Sequence, residues 1–341
     1  MFENLNAQDQ AKMTELLKAC GSQNMEESQK AQAALAGALE IPLRQGILVG
    51  NIIGDIYEPQ TFDPNARVEY PIDFFRPDNA TDFIAYTVPN QGRIPERQVA
   101  GDYVTVPTYD VGASIDWLLR YSREARWDIV SRAMEVLEAG VVKKLNDDGF
   151  HTLLAALFDR NIIVSDGNAA AGQFTKRLVS LAKVAMRRNA GGNKNSLNRG
   201  KLTNIILSPE SLEDMRNWGI DIVDEFTRRE IFTAPDDGET TIYGVKIAAY
   251  DEFGVGMEYQ TYYTNVTAVS DSSNHGLAAS DVELVIGLDL SKKDSFVMPV
   301  REPLQVFSDP NLHRSRKNGF YCWTGVGFAV LNNLRCLGLS L

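Results

Sequence analysis

The chain has 341 residues, 44% hydrophobic and 23% charged, a globular composition long enough for two or three folded units. A formal charge of −11 and a pI near 4.9 exclude a surface that grips nucleic acid throughout, because phosphate binding needs a cationic face; a local basic patch stays compatible. Cys20, Cys322 and Cys336 are an odd number without a C-x-x-C pair, which argues against a disulfide framework or a zinc site and for a reducing compartment.

Residues 1–10 are polar and acidic where a secretory signal would carry basic residues and an apolar run. No apolar stretch is long enough to span a bilayer, so the expectation is a soluble protein made in a cytoplasm. Residues 8–39 read as broken helix. Met13, Leu16, Leu17 and Cys20 keep helical spacing, Gly21 interrupts, an Ala/Gln-rich stretch follows to Leu39, and Pro42 is expected to close it. Poor in large apolar residues, this segment reads as an arm that needs a partner.

Residues 47–109 hold seven of the thirteen prolines, between short strand-like runs such as 66–70 and 83–88. Proline removes ladder donors, which places such strands at sheet edges or in an extended hairpin. A proline-free stretch follows from Ala113 to about Asp148. Ile115, Leu118, Tyr121, Ala125, Ile129, Ala133, Val136, Leu137, Val141 and Leu145 recur there at helical spacing. The spacing predicts an amphipathic spine helix of roughly 50 Å, with Gly140 where a kink would fall. Shorter helices are expected at 150–160 and 174–189, then a Gly/Asn-rich linker at 190–200. At 203–208 a strand meets Ser208 as N-cap, with Pro209 first in the next helix and Glu210 in its first turn. The rest reads as β: 241–249, 259–264, 282–289 and 321–341. Helices and strands are segregated rather than alternating, which predicts an α+β fold.

No chemistry gathers along the sequence. His151, His275 and His313 stand apart outside any metal-binding frame, and no P-loop or complete dinucleotide fingerprint occurs. The acidic pairs 147/148, 236/237 and 251/252 lie by glycines or turns where solvated acids are common, and Ser165-Asp-Gly-Asn168 reads as a turn lacking a calcium loop's closing acid. The expectation is therefore no catalytic residue, no cofactor and no metal. One basic run, His313-Arg-Ser-Arg-Lys317, is suited to an acidic neighbour or DNA, or else to a solvated loop.

In order, these pieces are a helical arm, an extended hairpin, a spine helix, a mixed domain and a final apolar strand region. That order, with the texture of residues 98–120, 202–215 and 325–339, resembles the major capsid proteins of tailed bacteriophages with the Hong Kong 97 type fold, which encapsulins share. The resemblance implies an N-terminal arm over 1–56, an extended loop over 57–106, a peripheral domain over 107–155 with 296–341, and an axial domain over 156–295. It also implies hexamers and pentamers of an icosahedral shell around double-stranded DNA, assembled in the host cytoplasm, with scaffolding, portal and cement proteins as partners and no membrane. Arg93, Glu96 and Arg97 in the loop would then form intersubunit salt bridges. Some such capsids crosslink a loop lysine, but no lysine occurs between Lys30 and Lys143, so that chemistry is not expected here. Two alternatives stand beside this reading: an encapsulin-like nanocompartment shell, and an enzyme with an unrecognised site in 156–295.

Overall fold

A computed structural model describes residues 7–50, 52–71, 103–159, 163–169, 172–189, 200–218, 240–259 and 283–341. The chain opens with helices α1 (Ala7–Cys20) and α2 (Met25–Gly50), then strands β1 (Glu58–Thr61), β2 (Glu69–Pro71), β3 (Tyr103–Thr105) and β4 (Tyr109–Leu118). Helices α3 (Leu119–Arg123) and α4 (Trp127–Asp159) lead to β5 (Ile163–Ser165), α5 (Lys176–Asn189), β6 (Asn204–Leu207) and α6 (Pro209–Arg216). Strands β7 (Thr240–Ile242), β8 (Val245–Ala249), β9 (Leu284–Leu288), β10 (Phe296–Ser308), β11 (Lys317–Val326), β12 (Ala329–Val330) and β13 (Cys336–Ser340) complete it. The fold is α+β, as its sequence predicts.

Two compact units result, the first from residues 1–68, 105–149 and 297–328, the second from 69–104, 150–296 and 329–341. The stretch 296–341, taken together in the sequence reading, is thus divided between them. The first unit carries a sheet in the order β1-β10-β11-β4. β11 and β4 pair antiparallel without interruption, from Lys317 opposite Leu118 to Val326 opposite Tyr109. β1, with Pro59, takes the edge, where a missing ladder donor costs least. Pro303 in β10 falls in the irregular register between Glu302 and Gln305.

Several sequence expectations need correction here. Residues 113–118 are strand, because Val111, Ala113, Ile115 and Trp117 turn to one side at period two and pair with β11. The spine helix begins only at Trp127, after a break at which Ala125 takes φ 53°. It runs 33 residues, roughly 50 Å, and absorbs the separate helix expected at 150–160. Its buried stripe is Val130, Met134, Leu137, Val141 and Leu145, whereas Val136 is exposed. Pro42 does not close the arm: α2 continues to Gly50, since Leu39 and Leu43 on either side of it are both buried and outweigh one lost helical hydrogen bond. The extended loop lies largely in 72–102, outside the described residues; the strand expected at 259–264 begins in a helical turn at Tyr259 and is otherwise outside them.

The arm helices are locked to the sheet by buried polar groups. Asn24 caps α2, accepting from Glu26 N at 3.2 Å. Gln32 Nε2 donates to Asn318 Oδ1 at 2.7 Å, and Asn318 Nδ2 donates to Cys20 O at 3.1 Å and Ser122 Oγ at 3.0 Å. Ser122 Oγ also accepts from Trp117 Nε1 at 2.9 Å, and Ser28 Oγ donates to Cys20 O at 2.6 Å. At the other end of the helix pair, Tyr57 Oη donates to Gly149 O at 3.0 Å, and a Cβ on Gly149 would meet Ile53 at 2.6 Å.

The second unit holds a mixed sheet in the order β5-β13-β9-β6-β8-β7. α5 lays Leu178, Val179, Ala182 and Met186 on its core, with Ile205, Leu207, Val245 and Leu337 from the strands. The β6-to-α6 boundary stands where the sequence places it: Ser208 Oγ accepts from Ser211 N at 3.1 Å and Pro209 opens the helix. Residues 241–249 are a hairpin and not one strand. Tyr243 and Gly244 both take positive φ, 53° and 71°, the conformation of a two-residue turn joining twisted strands.

Replacing Asn318 by Ala should remove one hydrogen bond each from Cys20 O, Ser122 Oγ and Gln32 Nε2, which keep their bonds to Ser28 Oγ, Trp117 Nε1 and Ser28 Oγ, and cost about 1–3 kcal/mol. A denaturant melt measures the loss. Labelling of Cys20, whose thiol burial pushes up to about 12, should quicken in step; an unchanged midpoint would show that the network holds nothing.

Candidate assembly surfaces

The two ends of the segment 72–102 meet in a ribbon: β2 pairs with β3. Every residue of β3 is exposed, Tyr103 at 63% and Val104 at 38%. Tyr70 of β2 is buried, whereas Tyr103 and Val104 of β3 are apolar groups left on the surface and suit burial by another molecule. Arg93, Glu96 and Arg97 lie within 72–102, outside the described residues.

A second surface lies on the first unit's sheet. Phe307 packs on Trp323 at 4.6 Å between ring centroids and on Tyr321 at 5.5 Å. Trp323 is 36% exposed. The alternate residues of the same strand, Phe320 and Cys322, are buried, with Phe320 against Trp117 at 5.3 Å. The sheet is thus apolar on both faces. This aromatic group was not singled out by sequence, although Tyr321 and Trp323 sit two apart in a strand-like run and share a side for that reason.

The basic run 313–317 forms the end of the β10–β11 hairpin, with Pro310–Ser315 in a 3-10 helix and Arg316 left-handed at φ 57°. Lys317 pairs with Asp116 at 2.5 Å.

Among the described residues, the histidines and acidic groups read from the sequence do not converge. His151 is exposed on α4, His313 lies at the hairpin end, and His275 is outside the described residues. Asp147 and Asp148 sit inside α4 instead of at a turn, and Asp148 accepts from Tyr109 Oη and Lys144 Nζ, each at 2.8 Å. Asp166 is buried in its turn, accepting from Thr175 Oγ1 at 2.8 Å. Among the described residues no three His, Cys, Asp or Glu side chains are grouped as for a metal ion. A concavity of about 730 Å³ at the start of α5 is walled by the stacked Phe174 and Trp218, and Asp214 in it accepts from Phe174 N at 3.0 Å. None of the described helices is long and apolar enough to cross a membrane.

One buried carboxyl stands out. Glu283 Oε1 accepts from Ser211 Oγ at 2.7 Å and from Ser208 Oγ, and its pKa is raised. Burial is the main cause, opposed by the two serine hydroxyls and assisted by Glu210 and Asp214 nearby. No histidine or lysine touches it among the described residues, and both serines belong to the cap of α6, so the group works as a clasp between that helix and the strand end before β9.

No protein-family model matches the chain, and no curated protein matches it by sequence. Solved structures do match. The capsid asymmetric unit of cyanophage Pam1 aligns at TM-score 0.56 and 11% identity, over 84% of this chain and 88% of that one. A chain of Microbacterium phage Oxtober96 aligns at 0.56 and 10%, over 85% and 90%. The capsid of an empty GTA particle aligns at 0.52 and 12%, over 86% and 90%. This chain shares its fold with the Pam1 and GTA capsid chains, and its segregated helices and strands are the α+β class read from the sequence.

Glu283→Gln keeps an acceptor for both serines and removes the ionisation. An acid held above its ordinary pKa contributes stability that is full below about 4.3, the unfolded value, and is lost as pH rises through the folded value. The variant should therefore gain on the wild type in melting temperature as pH climbs from about 4 to 7. A pH-independent difference would refute the shift.

Proposed function

We propose that this chain is the major capsid protein of a tailed bacteriophage: copies associate as hexamers and pentamers into an icosahedral shell around double-stranded DNA, and the chain is a structural subunit and not an enzyme. The observation that carries this reading is a capsid fold shared along more than four-fifths of the chain with subunits from the Pam1 capsid and the empty GTA particle. Exposed Tyr103 and Val104 on β3 and exposed Trp323 on β11 support it, since such apolar groups gain burial when copies cover one another. Scaffolding, portal and cement proteins, contacts by Arg93, Glu96 and Arg97, and assembly in the host cytoplasm follow from the same reading. So does the division into an arm over 1–56, an extended loop over 57–106, a peripheral domain over 107–155 with 296–341 and an axial domain over 156–295.

Expression of the full chain followed by size exclusion and negative-stain electron microscopy tests it. Closed shells, or rings of hexamer size, are expected. A folded monomer that persists at high concentration and with scaffolding partners supplied overturns it, and shells filled with an enzyme instead of DNA would make the particle an encapsulin-like compartment.

A further inference from the structure

Four arginines and a histidine open onto one pocket of about 680 Å³ in the first unit: Arg120 and Arg123 from α3, Arg314, Arg316 and His313 from the hairpin end. Backbone contacts hold the two sources together, since Leu119 N donates to Arg316 O at 2.9 Å and Arg316 N to His313 O at 3.0 Å. Two of the guanidinium groups are already oriented. Arg123 Nε donates to Gly21 O at 2.9 Å, and Arg120 Nη2 donates to Tyr121 Oη at 2.7 Å.

No carboxylate lines this pocket. Of the nearby acids, Asp116 pairs with Lys317, Asp309 accepts from Asn311 N at 2.9 Å, and Glu124 pairs with Arg126 at 3.2 Å while also attracting Arg120. His313 Nε2 is buried with no hydrogen-bond partner among the described residues. In a chain of net charge −11, gathering four arginines with only Glu124 acting on one of them is unfavourable in the isolated subunit and turns favourable when an anion enters.

We propose that this pocket receives a carboxylate-bearing segment of a second copy of the chain. The inference rests on the shell reading, which brings many copies together. Shape favours a protein partner over DNA. A duplex backbone is tracked by a row of cations along a ridge or groove, whereas this site is a concavity whose wall includes Leu118 and Leu119, suited to side chains. Charge favours the chain itself, with 45 acidic against 34 basic residues. The arginine fork matches a carboxylate with two parallel hydrogen bonds, and four forks have room for more than one acid.

The test uses full-chain shells. Arg314→Glu with Arg316→Glu should lower shell yield about tenfold, the effect of losing one good interfacial ion pair, while the melt of the unassembled protein stays that of the wild type. Arg314→Lys with Arg316→Lys should restore most of the yield. Independently, p-benzoylphenylalanine in place of Gln23, at the pocket lip, should photo-crosslink to an acidic peptide of another copy, identified by mass spectrometry. Charge reversal of the acids so identified should rescue the Glu variant. Wild-type yield from the Glu variant, crosslinks confined to the same copy, or crosslinks to packaged DNA would each overturn the proposal and leave the shell reading standing. Failure of the wild-type chain to form any shell overturns that reading and this one with it.

Discussion

The first unit depends on one side chain that its surroundings leave no freedom to move. Asn318, 1% exposed, holds the end of α1, the first third of α2 and the end of α3 to a strand of the sheet through three hydrogen bonds. A buried amide is costly unless its groups are met, and here each partner belongs to a shared network that Ser28 Oγ and Trp117 Nε1 also join. The consequence is specificity: apolar packing of Leu35 and Leu39 tolerates a sliding helix, but this set of donors and acceptors is met at one register only. Helices α1 and α2 are thereby tied to the sheet by specific bonds.

The second unit uses an ionic version of the same device. Arg335 and Asp289 are both buried, with Nη1 3.3 Å from Oδ2. Asp289 also accepts from Lys201 N at 2.9 Å and Ser291 N at 3.0 Å, and its own N donates to Arg335 O at 2.9 Å. A buried pair adds little net stability over a well-packed apolar one. What it does is add a polar constraint to the alignment of β9 against β13, in which Leu337 already fills the space left beside Gly287.

Legibility in the sequence followed the range of the forces involved. Local signals were sound: Ser208 and Pro209 mark a helix start whatever surrounds them, and the clustered prolines correctly placed β1 at an edge. Non-local ones were not. Residues 113–118 satisfy a helical stripe and a strand alternation alike, and only pairing with β11, some two hundred residues on, decides between them. Tyr243 and Gly244 were hidden within an apolar run, though a glycine at a two-residue turn was there to be read. Nothing local marks Gln32 as buried, because its partner Asn318 is remote in sequence. The hairpin half of the basic pocket was visible as a charge run, whereas Arg120 and Arg123 looked like the polar side of a helix.

The pairing of β4 with β11 also sets how the first unit bears load. Ten consecutive residues of each strand oppose one another without a bulge. Tension along the strand axis is shared by the whole ladder at once, whereas tension across it would open the pairs one after another from an end. A sheet oriented with its strands along the direction of stretch would therefore yield abruptly and late. The same sheet pulled crosswise would peel, which makes strand direction relative to the wall the property that governs its toughness.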